Sequence, residues 1–350
     1  MSMKTPSTQF HPPQFQPRIN RRTALGACLV LASPWATSLV QAQSPASVDE
    51  TWQDTRRQRA VPVRIRWPQG AAPAAGWPLV IYSHGLGGSR AGGDVWGEAW
   101  AAAGMVVVHL QHAGSDIDAV RAGTGNFRDR AALRKLGSAE QLLARLEDVK
   151  FALDESARRK TVDKAWRAVR VDAVGMAGHS FGAHTTLGAG GQSYRGFTGS
   201  ASMKDERIAA LLALSPTVPS RGDARLAMAG ITRPTLVITG TLDGDVVGNG
   251  ATPDKRAAVF AALPDGNKAL LLLKDADHMT FGGVTGRAAA ILPREAVTTQ
   301  LQPQHHALVA RVTTDWWRTH LVEPGQSAAQ SSGKVVQPAG LGAQDVWRTG

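Results

Sequence analysis

The chain has 350 residues, of which 43% are hydrophobic, and a formal net charge of +11. This length and composition suffice to bury a sizeable core, so they indicate a globular protein and exclude a disordered one. The basic residues are dispersed and stand beside acidic residues, as in the segments DERI, RDRAALRK and ARLEDVK. The positive charge therefore predicts a solvated basic surface rather than a nucleic-acid site.

The first 42 residues differ in composition from the rest of the chain. A polar, proline-rich start is followed by Arg21 and Arg22, the mainly apolar stretch TALGACLVLASPWATSLV and the small-residue site VQA. These are the parts of a secretory signal, and the paired arginines resemble the twin-arginine export signal. We therefore expect residues 1–42 to be an export signal peptide, and the mature protein, beginning near Gln43, to be periplasmic or secreted.

Two features of this leader bear on the mature protein. A membrane-spanning helix needs roughly 20 unbroken apolar residues. Pro34 interrupts a run that is already shorter, so no stable membrane anchor is expected. Cys28 is the only cysteine of the chain and lies in the segment that would be removed, so no disulfide, thiol nucleophile or cysteine metal site is expected in the mature protein.

Beyond the leader and the polar segment TWQDTRRQRA, apolar runs alternate with segments of helical periodicity. The predicted strands are VPVRIRW, PLVIYSHG, MVVVHL, VDAVGMA, IAALLALS, PTLVITG and KALLLLK. The predicted helices are GEAWAAAG, one or two within residues 129–158, FGAHTTLGA, DKRAAVFAAL and HHALVARVTTDWWRTHL. Buried strands that alternate with helices indicate an α/β fold with a mostly parallel, doubly wound sheet covered by helices on both faces.

The domain organisation follows from the absence of any long linker. No Pro-rich or charged linker divides the periodic region, so residues 43–322 are predicted to form one catalytic domain. Residues 323–350 are rich in Gly, Gln and Ser and are expected to be loose, or docked only at their end through the segment DVW.

The motif GHSFG stands between a predicted strand and a predicted helix, with Ser180 at its centre. In an open α/β sheet, reactive groups collect at the carboxyl ends of the strands. A serine in a sharp strand-to-helix turn exposes its hydroxyl, and the turn is possible only if its neighbours lack side chains, as Gly178 and Gly182 do. The motif predicts a nucleophilic serine, with a tight-turn role as the alternative.

A serine nucleophile needs a base to take its proton and a carboxylate to orient that base. Asp243 follows the strand PTLVITG, and His278 follows the strand KALLLLK. We expect Ser180, Asp243 and His278 to converge at the ends of their strands as a catalytic triad. Asp245 remains an alternative for the acid. Taken singly, Asp243 could instead have a capping role, and His278 could instead be a solvated loop residue.

The remaining histidines receive other assignments. His179 and His184 flank the serine and are given packing or pocket-wall roles. His84, His109 and His112 lie near strand ends, but no His-x-His or His-Glu-x-x-His spacing supports zinc. Neither a metal nor a cofactor is expected.

The oxyanion that forms during acyl transfer needs fixed N–H donors. One donor is predicted to be the backbone amide of Phe181, directly after the nucleophile. The other is expected from the glycine-rich loop HGLGG after an early strand, and Leu86 is the predicted residue. No Lys-Ser/Thr follows these glycines, so a nucleotide site is disfavoured.

The motifs HGLGG, GHSFGA, GTLD and DADH occur in this order within residues 60–320. In this respect the chain resembles the secreted α/β-hydrolases of the dienelactone hydrolase-like, platelet-activating-factor acetylhydrolase-like and polyester hydrolase-like group. It differs from true dienelactone hydrolases, whose nucleophile is cysteine, and from polyester hydrolases, which carry a disulfide and an aromatic residue where Leu86 stands.

The resemblance implies an α/β-hydrolase fold and a serine carboxylester hydrolase with Ser180, Asp243 and His278 as its triad. The expected partner is a small-molecule or polymeric ester, with no nucleic acid involved. A non-catalytic ligand-binding protein on the same scaffold is the alternative.

Overall fold

The computed structural model describes residues 46–123, 129–194, 203–286, 293–322 and 336–350. All of them lie in one compact unit, Gln43–Gly350. The predicted export signal, residues 1–42, lies outside the described residues.

The sheet has nine strands in the order β1-β2-β4-β3-β5-β6-β7-β8-β9 within the described residues. The strands from β4 to β8 in this order pair in parallel, whereas β1, β2 and β9 run antiparallel to their neighbours. Their bounds are β1 Ala46–Asp54, β2 Arg59–Trp67, β3 Trp77–Ser83, β4 Val106–Leu110, β5 Val169–His179, β6 Ile208–Leu214, β7 Thr235–Leu242, β8 Lys268–Asp277 and β9 Val346–Thr349.

The helices lie between these strands in sequence. Their bounds are α1 Asp94–Ala102, α2 Ile117–Gly123, α3 Arg130–Leu136, α4 Ala139–Val162, α5 Phe181–Gly190, α6 Ala224–Met228, α7 Pro253–Ala262 and α8 Ala296–Trp317. The longest, α4, begins where the Ser138 hydroxyl accepts the N–H of Gln141, and Thr252 caps α7 in the same way through Lys255. None of the described helices is both long and apolar enough to cross a membrane.

Two hydrophobic clusters cover the two faces of the sheet. On one face, Ile81 and Met176 of the sheet pack with residues of α4, α5 and α7, such as Leu146. On the other face, Val80 of the same β3 strand packs with α1 and α8, where Trp317 is fully buried. Successive strand residues point to opposite faces, so strands buried on both faces are apolar at most positions, as the sequence runs are.

The predicted fold class is confirmed: the sheet is doubly wound, mostly parallel and covered on both faces. Neither edge was predicted as a strand, although the segment DVW was expected to dock. Strand β1 includes the segment TWQD. Only Trp52 and Asp54 of this edge strand are buried, so its sequence looks polar. At the other edge, β9 pairs with β8 through the residues after the segment 323–335, which is outside the described residues.

Candidate active site

Ser180 lies between the end of β5 and the first residue of α5. Its backbone adopts φ 56° and ψ −115°, a left-handed φ that non-glycine residues rarely take. Its N–H donates to the carbonyl of Leu214 at the end of β6, at 2.9 Å. The turn therefore holds the serine at the carboxyl edge of the sheet, partly exposed.

The two flanking glycines have a steric reason. A Cβ on Gly178 would lie 2.2 Å from the carbonyl oxygen of Gly182, and a Cβ on Gly182 would lie 1.9 Å from the carbonyl oxygen of Ser83. Both distances are far below van der Waals contact. The turn can form only because neither position carries a side chain.

The structure joins the three predicted residues by hydrogen bonds. The Ser180 hydroxyl lies 2.9 Å from His278 Nε2, and His278 Nδ1 lies 2.9 Å from Asp243 Oδ1. The carboxylate can only accept, so Nδ1 donates its proton to Asp243 and Nε2 is the free acceptor for the serine hydroxyl. Asp243 is fully buried and His278 is 4% exposed, so the ion pair that would form is shielded from water.

Sequence reasoning did not identify the other groups that hold Asp243. Arg256 Nε donates to the backbone carbonyl oxygen of Asp243 at 2.9 Å and forms an ion pair with Oδ1 at 2.8 Å, and Thr239 and Ser215 donate their hydroxyl protons to Oδ2. Burial by itself raises the pKa of Asp243. The hydrogen bond from His278 and the charge of Arg256 outweigh it and lower the pKa, so Asp243 is ionised.

The pKa of His278 is below its usual 6.5. Burial is the main cause, because it disfavours the charged imidazolium, and the nearby Arg256 adds repulsion. The hydrogen bond to Asp243 and its negative charge raise the pKa of His278, but by less than burial and Arg256 lower it. At neutral pH the ring is uncharged, which is the form that can accept a proton.

The alternative acids are engaged elsewhere. Asp245 accepts the N–H groups of Val247, Gly248 and Gly250, so its carboxylate closes its own loop. Asp277 caps the short helix His278–Gly282 and forms a salt bridge with Arg294. The structure thus brings Asp243, and neither of these carboxylates, to the ring of His278.

The histidines beside the serine contact the site without reaching its hydroxyl. His179 donates from Nε2 to the carbonyl oxygen of His278 at 3.0 Å, and the two rings are 4.7 Å apart. This contact fixes the backbone that carries His278. His184 lies in the pocket wall, where its Nε2 is 3.1 Å from the Thr217 hydroxyl.

Leu86 and Phe181 both line the same pocket as Ser180. The loop of Leu86 packs on the serine: a Cβ on the neighbouring Gly85 would lie 3.4 Å from the Cβ of Ser180. Phe181 is the first residue of α5, so its N–H has no partner inside the helix. Neither amide donates to another described group, so both remain able to bind an oxyanion.

The pocket has a volume of about 910 Å³ and opens beside Ser180 and His278. Its lining within the described residues is mixed and contains no acidic side chain. Three exposed basic side chains, here called the rim cations, lie on it: Arg134, Arg221 and Lys255. None of the three forms an ion pair with a described residue.

A second, buried hydrogen-bonded series lies behind this pocket, and sequence analysis missed it. The Ser83 hydroxyl is 2.9 Å from His112 Nε2, and His112 Nδ1 is 2.9 Å from Asp148 Oδ2. All three side chains are fully buried, so substrate cannot reach this serine. The expectation that ARLEDVK presents solvated charges is wrong for Arg145 and Asp148, because both are fully buried on the inner face of α4.

No group of three or more side chains suited to bind a metal ion converges within the described residues. Among the predicted strand-end histidines, His84 and His112 are instead bonded to backbone, hydroxyl and carboxylate groups. His109 Nδ1 lies 2.9 Å from the carbonyl oxygen of Gly92.

Comparisons with known proteins found a matching family model and similar solved structures. The family model for platelet-activating factor acetylhydrolase, isoform II, matches residues 58–165. A dienelactone hydrolase from Anabaena variabilis has a TM-score of 0.49 and 19% identity, with 80% of this chain and 100% of that chain covered. A 2,6-dihydroxy-pseudo-oxynicotine hydrolase has a TM-score of 0.50 and 15% identity, with 80% and 69% covered. No curated protein matches the chain in sequence.

A doubly wound sheet with a strand–serine–helix turn at its carboxyl edge defines an α/β-hydrolase fold. Residues 58–165 match the family model of platelet-activating factor acetylhydrolase, isoform II, and the α/β-hydrolase fold that the motifs predicted is confirmed. The family-model match supports a hydrolytic function.

Proposed function

We propose that the protein is a serine hydrolase that cleaves carboxylic esters through an acyl-enzyme intermediate. The observation that carries the proposal is the bridging position of His278, 2.9 Å from the Ser180 hydroxyl on one side and 2.9 Å from Asp243 on the other. A buried neutral imidazole between a hydroxyl and a fixed carboxylate is the arrangement that activates serine.

In the first half of the reaction, Ser180 attacks the ester carbonyl while His278 Nε2 takes the hydroxyl proton. The imidazolium that forms is stabilised by Asp243, which is already ionised. His278 then gives the proton to the departing alkoxide, and the acyl group remains on Ser180. In the second half, water replaces the alcohol, loses its proton to His278, and releases the acid from Ser180.

The negative oxygen of each tetrahedral intermediate needs donors near Ser180. The free amides of Leu86 and Phe181 are proposed for this role, each contributing about 3 to 4 kcal/mol as in comparable sites. Phe181 also places the positive end of the α5 dipole at this oxygen.

The rim cations bear on the choice of substrate. Among the described residues, the pocket wall holds Arg134, Arg221 and Lys255 and no carboxylate, so its electrostatic potential favours esters that carry a negative group over neutral ones. We also propose that residues 1–42 direct export, so that the enzyme meets its ester outside the cytoplasm.

The test measures hydrolysis of short-chain p-nitrophenyl esters by the purified protein and by Ser180→Ala. Loss of the nucleophile is expected to lower kcat by at least about 10³-fold. Ser220→Ala is the matched control, because Ser220 lies on the same pocket but has no bond to His278. A fluorophosphonate should add its mass to the wild-type protein and to Ser220→Ala but not to Ser180→Ala.

Equal ester turnover in Ser180→Ala and the wild-type protein would refute this proposal. If the wild-type protein bound esters without hydrolysing them and did not react with the fluorophosphonate, the non-catalytic ligand-binding alternative would replace it.

A further inference from the structure

Arg145 is a buried cation with no acidic partner at bonding distance. It lies on α4, is fully buried, and forms no ion pair with any described carboxylate. Its Nε donates to the Ser115 hydroxyl at 2.8 Å, and its Nη1 donates to the carbonyl oxygen of His84 at 2.7 Å. A buried charge costs free energy unless it is fully hydrogen-bonded, so its position calls for a reason beyond packing.

The guanidinium reaches the peptide that carries one proposed oxyanion donor. The carbonyl oxygen of Gly85 accepts from His84 Nδ1 at 2.6 Å and faces Arg145 Nη2 at 3.5 Å. This carbonyl and the N–H of Leu86 belong to the same peptide unit. Donors on the carbonyl side fix the orientation of that unit and polarise it, which makes its N–H a stronger donor.

The same guanidinium contacts the residue that carries the other proposed donor. The central carbon of the Arg145 guanidinium lies 4.3 Å from the centre of the Phe181 ring, within the range of a cation–π interaction. One side chain therefore binds the Leu86 loop through carbonyl oxygens and the start of α5 through an aromatic face.

The buried series behind the pocket fixes His84 in the required state. His84 Nε2 accepts the backbone N–H of His112 at 3.1 Å, so the ring proton is on Nδ1, where it reaches the Gly85 carbonyl. The ring of His112 is itself held by Ser83 and Asp148. The second series of serine, histidine and aspartate therefore supports the loop and does not act as a nucleophile.

We propose that Arg145 is a positioning residue for the oxyanion site, which aligns the amides of Leu86 and Phe181 and adds a buried positive charge behind them. The inference rests on the proposed ester hydrolysis. Because the charge and the amides are fixed before substrate arrives, they stabilise the tetrahedral intermediate more than the bound ester. Loss of Arg145 should accordingly affect kcat and leave KM nearly unchanged.

The experiment compares Arg145→Met and Arg145→Lys with the wild-type protein in ester hydrolysis. All rates are normalised to the number of serines titrated by a fluorophosphonate, so a smaller folded fraction does not count as a slower enzyme. Arg145→Met should lose about 10²- to 10³-fold in kcat, as when one oxyanion donor is removed, with KM within about threefold. Arg145→Lys keeps the charge but loses the planar fork, and should recover part of the loss.

A transition-state analogue separates positioning from general damage to the structure. A trifluoromethyl ketone forms a tetrahedral adduct with an oxyanion, so its inhibition constant should rise by the same factor as kcat falls. The matching methyl ketone without fluorine forms little adduct and carries no oxyanion, so its inhibition constant should stay nearly unchanged. The acid limb of the pH profile should also stay in place, because Arg145 has no bond to His278.

Phe181→Leu keeps the amide and removes only the ring under the guanidinium, and a smaller loss of about threefold to tenfold in kcat is expected. This variant and Arg145→Lys carry the test if Arg145→Met does not fold. If the wild-type protein hydrolyses esters and these variants keep its kcat and its ketone affinity, this inference is overturned and the proposed function stands. Absence of wild-type turnover and of fluorophosphonate labelling would overturn it together with the proposed function.

Discussion

Arg256 should set the pH at which the enzyme becomes active, and its removal should move that pH upward. Arg256 Nε lies 2.8 Å from Asp243 Oδ1, and His278 Nδ1 hydrogen-bonds to the same oxygen at 2.9 Å. The two positive charges would thus lie no more than about 6 Å apart, where an effective dielectric constant of about 20 gives a repulsion of about 3 kcal/mol. This energy corresponds to about two pH units in the position of a titration.

The sign follows from the form of His278 that is needed. Only the neutral ring accepts the proton of Ser180, so kcat/KM falls as the pH drops through the pKa of His278. Burial and Arg256 hold this pKa below 6.5, so the wild-type acid limb should lie below 6.5. Arg256→Met removes the repulsion and should move the limb upward by about 1 to 2 units, whereas Arg256→Lys keeps the charge and should leave it within about half a unit.

The assay is kcat/KM for a neutral p-nitrophenyl ester across the acid and neutral range. Arg256 also donates to the carbonyl oxygens of Ser215 and Gly244, so Arg256→Met is expected to be less stable as well. A smaller folded fraction scales every rate equally and does not move the midpoint of the limb, provided that the folded fraction is checked at each pH by circular dichroism. A midpoint that stayed in place or moved downward in Arg256→Met would refute the electrostatic argument.

Three further outcomes are expected. Gly182→Ala should lower the free energy of unfolding by about 3 kcal/mol or more, because the added Cβ would overlap the Ser83 carbonyl oxygen. Urea unfolding measures this loss, and a loss within about 0.5 kcal/mol, as is usual at surface sites, would contradict the prediction. Asp245→Asn should keep kcat within about threefold but lower the melting temperature, since Asp245 binds only its own loop; a drop as large as that of Asp243→Asn would reassign the acid. At low ionic strength, an ester with an acyl-chain carboxylate should have a KM about threefold to tenfold below that of its neutral isostere, and added salt should remove the difference. Equal KM values for the two esters at low salt would show that the rim cations do not face the substrate.

Much of the fold could be predicted because its strands have a simple local signature. The runs PLVIYSHG, MVVVHL and IAALLALS correspond to β3, β4 and β6, which are buried on both faces and are therefore apolar at nearly every position. The edge strands β1 and β9 have no such requirement. Each pairs with only one neighbour and exposes much of its surface, so its sequence does not differ from that of a loop.

The strand-to-helix turn at Ser180 was also predictable, because glycines stand on both sides of the serine in the sequence. The steric demand at Gly178 comes from Gly182, which is close in sequence, whereas the demand at Gly182 comes from the backbone of Ser83 on another strand. Asp243 and His278 could be predicted as strand-end residues, but the choice of Asp243 over Asp245 needed the side-chain directions that only the structure gives.

Sequence alone determined the alternation of strands and helices and the presence of a turn at Ser180, since these depend on burial pattern and on the local approach of Gly178 to Gly182. Tertiary structure alone decided the partners of the buried charges. Arg145 and Asp148 lie three positions apart on a helix that looks amphipathic, yet one reaches the Gly85 loop and the other the ring of His112. The order of strands in the sheet sets these contacts, and it brings together residues whose separation in sequence contains no information about their distance.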